Sequence, residues 1–125
     1  MKKCLIVDDV ALNIVVAQKM LSLQPLEFST APNGKEACDL IRGGYEPDII
    51  ILDLMMPVMD GFQVIEEIRG GRCGRTDVPI IILSALNREA DTKRALAIGA
   101  TDYLTKPIIM PRLVNAVKSH VQLDA

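Results

Sequence analysis

The chain has 125 residues, of which 50% are apolar and 3% aromatic, and its formal net charge is −2. This length suits one domain with a buried core, and the balanced charge argues against a surface built for nucleic acid or membrane. The apolar runs at 4–7 and 49–52 are far too short to cross a bilayer. No secretory leader pattern opens the sequence, and its 3 cysteines lack a C-x-x-C pairing, so we expect a reducing, cytoplasmic location.

Strand-like apolar runs alternate with helical patterns along the chain. Strands are predicted at about 3–7, 26–31, 49–52, 79–83 and 101–104, and helices at about 11–23, 35–41, 62–69, 88–98 and 111–121. Asn33 and the Asp60–Gly61 pair are typical of helix starts, and Pro111 suits a first helical position. Cys73 lies in a glycine-rich loop and is expected to be the exposed thiol among the cysteines.

The strict alternation predicts an α/β domain with a parallel sheet covered by helices on both faces. Right-handed crossovers leave few topologies, and the flavodoxin-like (βα)5 strand order 2-1-3-4-5 is the natural choice for this length. The continuous apolar run at 49–52 indicates a strand buried on both faces. We expect residues 1–125 to form a single domain.

Polar residues follow the predicted strands at their carboxyl ends. Asp8 and Asp9 follow the first strand, Asp53 the third and Ser84 the fourth, and Lys106 comes just after the fifth. The carboxyl ends of parallel strands share one edge of the sheet, where ligands bind. Because the first and third strands are neighbours in the predicted order, the three carboxylates should converge.

Three carboxylates in one place repel each other unless a cation compensates. Oxygen ligands without His or Cys select a hard ion such as Mg²⁺. With Lys106 and the Ser84 hydroxyl nearby, this set suits transfer of a phosphoryl group to a carboxylate. Asp53 is the predicted nucleophile because it follows the most buried strand, and Asp9, with Asp8 beside it, is predicted to hold the metal.

Four sequence blocks occur in order along nearly the whole chain: I-V-D-D, I-L-D-L-M-M-P-V-M-D-G, L-S-A and T-K-P. Together they resemble the signature of the CheY-like receiver domain of two-component response regulators. The resemblance implies that a histidine kinase or phosphotransfer protein phosphorylates Asp53 from a phosphohistidine. It implies that Asp8 and Asp9 serve the Mg²⁺ site and that the backbone carbonyl of Met55 completes it.

The resemblance also assigns roles around the fourth and fifth strands. Ser84 corresponds to the family's switch hydroxyl, Tyr103 to the aromatic residue that swings inward on phosphorylation, and Lys106 to its invariant lysine. The Lys106–Pro107 peptide bond is expected to be cis. The chain is then a phosphoacceptor that catalyses only its own phosphorylation and dephosphorylation, and not an enzyme acting on a separate substrate.

Phosphorylation is expected to reshape the face formed by residues 88–98, the fifth strand and the last helix, and a downstream protein target is expected to bind there. Met55 and Leu86 flank the predicted site with apolar side chains, which predicts a long-lived phosphoryl group. His120, the only histidine, lies on the last helix, and we expect it to be solvated or capping rather than a phosphodonor.

Two other functions share parts of this pattern. A haloacid dehalogenase-type phosphatase needs a second aspartate two residues after the nucleophile, where this chain has Met55. A flavodoxin-like FMN carrier needs a phosphate loop rich in Ser, Thr and Gly after the first strand, where this chain has Asp8, Asp9 and Val10. Within the receiver family, a stand-alone regulator is favoured over a segment of a hybrid histidine kinase or multidomain regulator.

Overall fold

A parallel sheet of five strands and five helices make up most of residues 1–123, which are the residues that the computed structural model describes. The strands are β1 (Lys2–Val7), β2 (Leu26–Ala31), β3 (Ile49–Leu52), β4 (Ile80–Ser84) and β5 (Asp102–Thr105). The helices are α1 (Ala11–Met20), α2 (Gly34–Arg42), α3 (Gly61–Arg69), α4 (Glu89–Ala97) and α5 (Met110–His120). The strand order is β2-β1-β3-β4-β5, which confirms the predicted flavodoxin-like α/β fold.

The central strands separate two apolar layers. Alternate residues of β1 and β3 point to opposite faces, as the pleat of a strand requires. One layer contains Leu5, Val7, Ile50 and Leu52, and the other contains Cys4, Ile6, Ile49 and Ile51. Every residue of β3 is buried, which confirms the prediction from its continuous apolar run. Each helix within residues 1–123 is too short or too polar to act as a membrane span.

Helix α1 and strand β4 have boundaries that differ from the prediction. Helix α1 ends at Met20 rather than near residue 23, because the Ser22 hydroxyl donates to the Lys19 carbonyl at 2.8 Å and the chain turns there. Strand β4 begins at Ile80 and includes Ser84. Pro79 has no N–H for the ladder, although its carbonyl still accepts from the Ile50 N–H at 2.9 Å.

The helix caps confirm the predictions for Asn33 and Asp60. The Asn33 side chain accepts from the Glu36 N–H at 2.9 Å. Asp60 and Gln63 form a capping box, in which each side chain accepts from the other residue's N–H at 2.9 Å. Such caps satisfy N–H groups that the first helical turn leaves without partners.

Cys73 corrects a prediction. Its exposed fraction is 1%, so it is a buried thiol and not an exposed one. Gly71 and Gly74 on either side adopt φ values of +80° and +66°. These left-handed conformations are accessible to glycine and let the loop fold back, which turns the Cys73 side chain into the core.

Gly61 allows the start of α3 to pack directly against the end of β3. A Cβ atom at this position would clash with the Asp53 carbonyl oxygen and would lie 2.7 Å from the Leu54 Cα. The obstructing atoms belong to the backbone, which cannot move aside as a flexible side chain can. The helix cap and the residue that follows β3 are therefore held in one rigid arrangement.

We expect Gly61→Ala to reduce the free energy of unfolding by about 1–3 kcal/mol, the range for overpacking. Urea denaturation measures this change. Gly43→Ala is the matched control, because a Cβ there would meet only carbonyl oxygens of its own helix, at 3.3 and 3.5 Å. Equal stabilities of the two variants would contradict the close approach at Gly61.

Candidate functional site

Three aspartates meet at the carboxyl edge of the sheet. One carboxylate oxygen from each of Asp8, Asp9 and Asp53 lies within 4.8 Å of the others. Asp8 and Asp53 are only 5% and 7% exposed, whereas Asp9 faces solvent. The Asp53 N–H continues the β1–β3 ladder by donating to the Val7 carbonyl at 3.0 Å. Strand pairing therefore brings these carboxylates together, as the predicted strand order required.

Lys106 places a positive charge against two of these carboxylates. Its Nζ lies 3.0 Å from Asp8 Oδ2 and 3.6 Å from Asp53 Oδ2, and its side chain is largely buried. The Lys106 N–H donates to the Ser84 carbonyl at 2.8 Å, which fixes the lysine backbone beside β4. The Lys106–Pro107 peptide bond is cis.

The surroundings of Asp53 perturb the ionisation of its carboxyl group. Burial raises its pKa above the ordinary value of 3.8, and the nearby Asp8 raises it further. Lys106 and the N–H groups of Met55 and Leu54 lower the pKa but do not cancel the effect of burial. The Met55 N–H lies 3.3 Å from Asp53 Oδ1.

Ser84 and Tyr103 are linked through the main chain of Leu86. The Ser84 side chain is fully buried, and its Oγ accepts from the Leu86 N–H at 3.2 Å. The Tyr103 hydroxyl donates to the Leu86 carbonyl at 2.7 Å, and the ring is half-buried against the core. Burial raises the pKa of Tyr103, so the phenol keeps its proton and remains a donor at neutral pH.

The methionines after β3 are divided between solvent and core. Met55 is 59% exposed, so its side chain lies at the rim of the site. Met56 is buried, and Met59 packs against the core layer that includes Cys38. Met55 and Leu86 line the same shallow groove, so the rim of the site is apolar.

Asn13 and the Leu86 main chain contribute to the site although no sequence pattern indicated them. Asn13 Nδ2 lies 3.5 Å from Asp8 Oδ1, which also accepts from the Val10 N–H at 2.9 Å. These contacts depend on how the chain turns from β1 into α1. An asparagine within a helix gives no signal of that turn in a single sequence.

The chemistry of this cluster suits a hard divalent cation. Its donors are carboxylate oxygens alone, and their mutual spacing lets Asp8, Asp9 and Asp53 reach one ion. A cation there also offsets the repulsion between the carboxylates, which Lys106 offsets only in part. The residues present therefore fit Mg²⁺.

The sequence model of the family described as "Response regulator receiver domain" matches residues 4–118. The chain belongs to this family. Membership also argues against the dehalogenase-type and flavodoxin-type alternatives, which belong to other families.

Curated relatives of this receiver domain are longer proteins. This chain is 39% identical over 118 residues to "Probable transcriptional regulator ycf27" of Porphyra purpurea. The aligned region covers 94% of this chain and 46% of that protein. This chain is 37% identical over 117 residues to the response regulator PleD of Caulobacter vibrioides. The aligned region covers 94% of this chain and 25% of that protein. The chain thus spans about half or less of the relatives it matches.

Solved receiver domains superpose on this one over nearly their whole length. The chemotaxis protein CheY4 of Vibrio cholerae matches with a TM-score of 0.87 and 29% identity, over 97% of this chain and 99% of that one. The receiver domain of a sensor histidine kinase from Pseudomonas aeruginosa matches with a TM-score of 0.84 and 29% identity, over 95% of this chain and 96% of that one. That structure is described with a magnesium ion coordinated in its active site cleft.

We expect Asp53→Asn to raise the melting temperature of this receiver domain at neutral pH without divalent cations. A carboxyl whose pKa is raised by folding destabilises the native state when it is ionised, and this penalty disappears as the pH falls through the raised pKa towards 3.8. Thermal denaturation at a series of pH values should show the advantage of the variant shrinking in acid.

The matched control is Glu46→Gln, since Glu46 is an exposed carboxylate. It should change the melting temperature little at any pH. A variant Asp53→Asn that is less stable than wild type at neutral pH would contradict the assigned electrostatics.

Proposed function

We propose that this receiver domain accepts a phosphoryl group on Asp53 from a phosphohistidine of a histidine kinase or phosphotransfer protein. The observation that supports this most directly is the Asp53 carboxylate, held at the sheet edge beside Asp8, Asp9 and Lys106. A carboxylate oxygen would attack phosphorus as the bond from phosphorus to the histidine nitrogen breaks. The products are an aspartyl phosphate and a free histidine on the partner.

The other carboxylates are less suited to be the acceptor. Asp8 is already bound to the Val10 N–H and to Lys106, at 2.9 and 3.0 Å. Asp9 is exposed, and exposure leaves an acceptor without a fixed orientation. Asp53 is buried, is oriented by the Met55 N–H and follows the central strand β3, so it combines position with restricted motion.

The remaining site residues have complementary roles in this proposal. Asp8, Asp9 and Asp53 would hold Mg²⁺ together with the Met55 carbonyl, and the bound ion would neutralise charge on the phosphoryl oxygens. Lys106 Nζ is close enough to Asp53 to pair with a phosphoryl oxygen after transfer. The Ser84 hydroxyl would donate to another of these oxygens.

Signalling would follow from the exchange of two hydrogen bonds. Ser84 now accepts from the Leu86 N–H, so a turn of its hydroxyl towards the phosphoryl group breaks that contact. The Leu86 segment then moves, and Tyr103, which is bound to the Leu86 carbonyl, follows inward. The change reaches the face formed by α4, β5 and α5, where a downstream protein would bind the phosphorylated shape more tightly.

Several broader properties belong to the same proposal. Residues 1–125 act as one cytoplasmic domain that contacts proteins rather than nucleic acid or membranes, and its only chemistry is its own phosphorylation and dephosphorylation. The net charge of −2 supports protein partners over nucleic acid. The activity of the whole protein is that of a regulator, either stand-alone or with further domains as in its longer relatives.

Incubation with Mg²⁺ and a small acyl phosphate should add one phosphoryl group to wild type and none to Asp53→Ala. Intact-protein mass spectrometry measures the gain, and a chelator should suppress it in wild type. Asp39→Ala is the control, because Asp39 is an exposed carboxylate on α2 and should leave the gain unchanged. Equal phosphorylation of wild type and Asp53→Ala would refute the assignment.

We also expect a long-lived phosphoryl group, because the apolar side chains of Met55 and Leu86 cannot orient a hydrolytic water. Met55→Asn and Leu86→Glu should each shorten the half-life by roughly tenfold, which corresponds to about one hydrogen bond to water in the transition state. The decay of the phosphorylated mass over time gives the half-life.

Val58→Asn is the matched control for this effect. Val58 lies in the same loop, is 76% exposed and has a φ of +70°, a conformation that asparagine tolerates well. It should leave the half-life unchanged. A wild-type half-life no longer than those of Met55→Asn and Leu86→Glu would overturn the expectation.

A further inference from the structure

A shallow groove of about 460 Å³ lies between the start of α3 and helix α4, beside the carboxylate site. Its floor is made of buried side chains, and its walls are more exposed. Protein interfaces are enriched in methionine and aromatic residues, and methionine adapts its shape to the side chain that it meets. The groove has this composition, since its apolar lining consists of Leu54, Met55, Met56, Pro57, Phe62 and Leu86.

Arg94 contributes a positive charge to the wall of the groove. Its guanidinium carbon lies 3.9 Å from the centre of the Phe62 ring, which holds the exposed side chain against the apolar floor. Two other basic residues of this region, Arg88 and Lys93, pair with carboxylates on α4 itself. Among residues 1–123, no carboxylate lies close enough to Arg94 to form an ion pair, so its charge is available to a partner.

Asp60 is the other charged residue that lines the groove. Its carboxylate is bound to the Gln63 N–H at 2.9 Å as part of the cap of α3. The partial positive charge at the start of a helix offsets a carboxylate in that position. Arg94 therefore determines which charge the groove favours in a partner.

We propose that this groove binds an amphipathic helix of a partner protein through one apolar side chain and one carboxylate. The apolar side chain occupies the floor beside Phe62, and the carboxylate pairs with Arg94. Helices dock in apolar grooves by anchors three or four positions apart, and residues at this spacing lie on one face of a helix. An arginine that is held in place beside an aromatic ring is a typical anchor of such an interface.

This surface differs from the face formed by α4, β5 and α5. Ala95 of α4 packs in the core layer that contains residues of α2 and α3, whereas Leu113 and Val117 of α5 pack in the opposite layer. The groove is lined from the α3 side of α4 and includes no residue of β5 or α5. It is complete without a phosphoryl group on Asp53, so binding there does not depend on phosphoryl transfer.

The test uses the full chain without a phosphodonor and a phage-displayed library of helical peptides. Peptides are selected on immobilised wild type in the presence of soluble Arg94→Glu, which removes peptides that bind other surfaces. The enriched sequences should share an apolar residue and an Asp or Glu three or four positions apart. The most enriched peptide is then synthesised, and fluorescence anisotropy measures its affinity.

Arg94→Glu should weaken the binding of this peptide roughly tenfold, because a repulsion replaces an attraction. Arg94→Gln should weaken it less, since it removes the attraction alone. Arg112→Glu is the matched control, because Arg112 is an exposed arginine on α5 outside the groove, and it should leave the affinity unchanged. A peptide with Lys in place of its carboxylate should prefer Arg94→Glu to wild type. Circular dichroism checks that each variant is folded.

A selection that enriches no peptide would overturn the proposal, as would enriched peptides without a carboxylate. Amide chemical shifts of wild type should change at Phe62 and Leu86 when the peptide binds, and changes confined to β5 and α5 would contradict the groove. Dimerisation of wild type that Arg94→Glu abolishes would make a second copy of the chain the occupant and would also overturn the proposal. None of these measurements requires phosphorylation of Asp53, so they remain decisive even if the proposed phosphoryl transfer fails.

Discussion

The contact of the Lys106 ammonium with the carboxylates of Asp8 and Asp53 is the interaction on which the rest of the site depends. Two buried carboxylates side by side are unfavourable, and a lysine is costly to bury alone. The ammonium group and the two carboxylates offset each other's cost of burial. The raised pKa of Asp53 indicates that Lys106 offsets the cost for this carboxylate only in part. The residual negative charge makes this edge of the sheet receptive to a cation.

The apolar sheet makes this arrangement rigid. Strands β1 and β3 pair in register with both faces covered, so the positions at which Asp8 and Asp53 leave the sheet are set by the ladder and not by loops. Gly61 then brings the start of α3 against the Asp53 backbone. Carboxylates supported in this way can be held close together, whereas residues on mobile loops would relax apart.

Much of this could be predicted from the sequence because the signals were local or topological. The fold was predicted from the apolar run of β3, the caps at Asn33 and Asp60 and the strict alternation of elements. The predicted strand order then indicated that the three aspartates lie close together. The burial of Cys73, the end of α1 and the contact of Asn13 with Asp8 were not predictable. Each depends on how a loop or turn packs in three dimensions, which the residue types alone do not encode.

The backbone and the side chain of Leu86 have separate roles in the proposed mechanism. The hydrogen bonds to Ser84 and Tyr103 are made by its N–H and carbonyl groups, which every residue except proline provides. The proposed relay between the two hydroxyls would therefore be insensitive to the identity of residue 86. In the proposed mechanism, exchange of that side chain would adjust how long a signal persists and would leave the route by which the signal spreads intact.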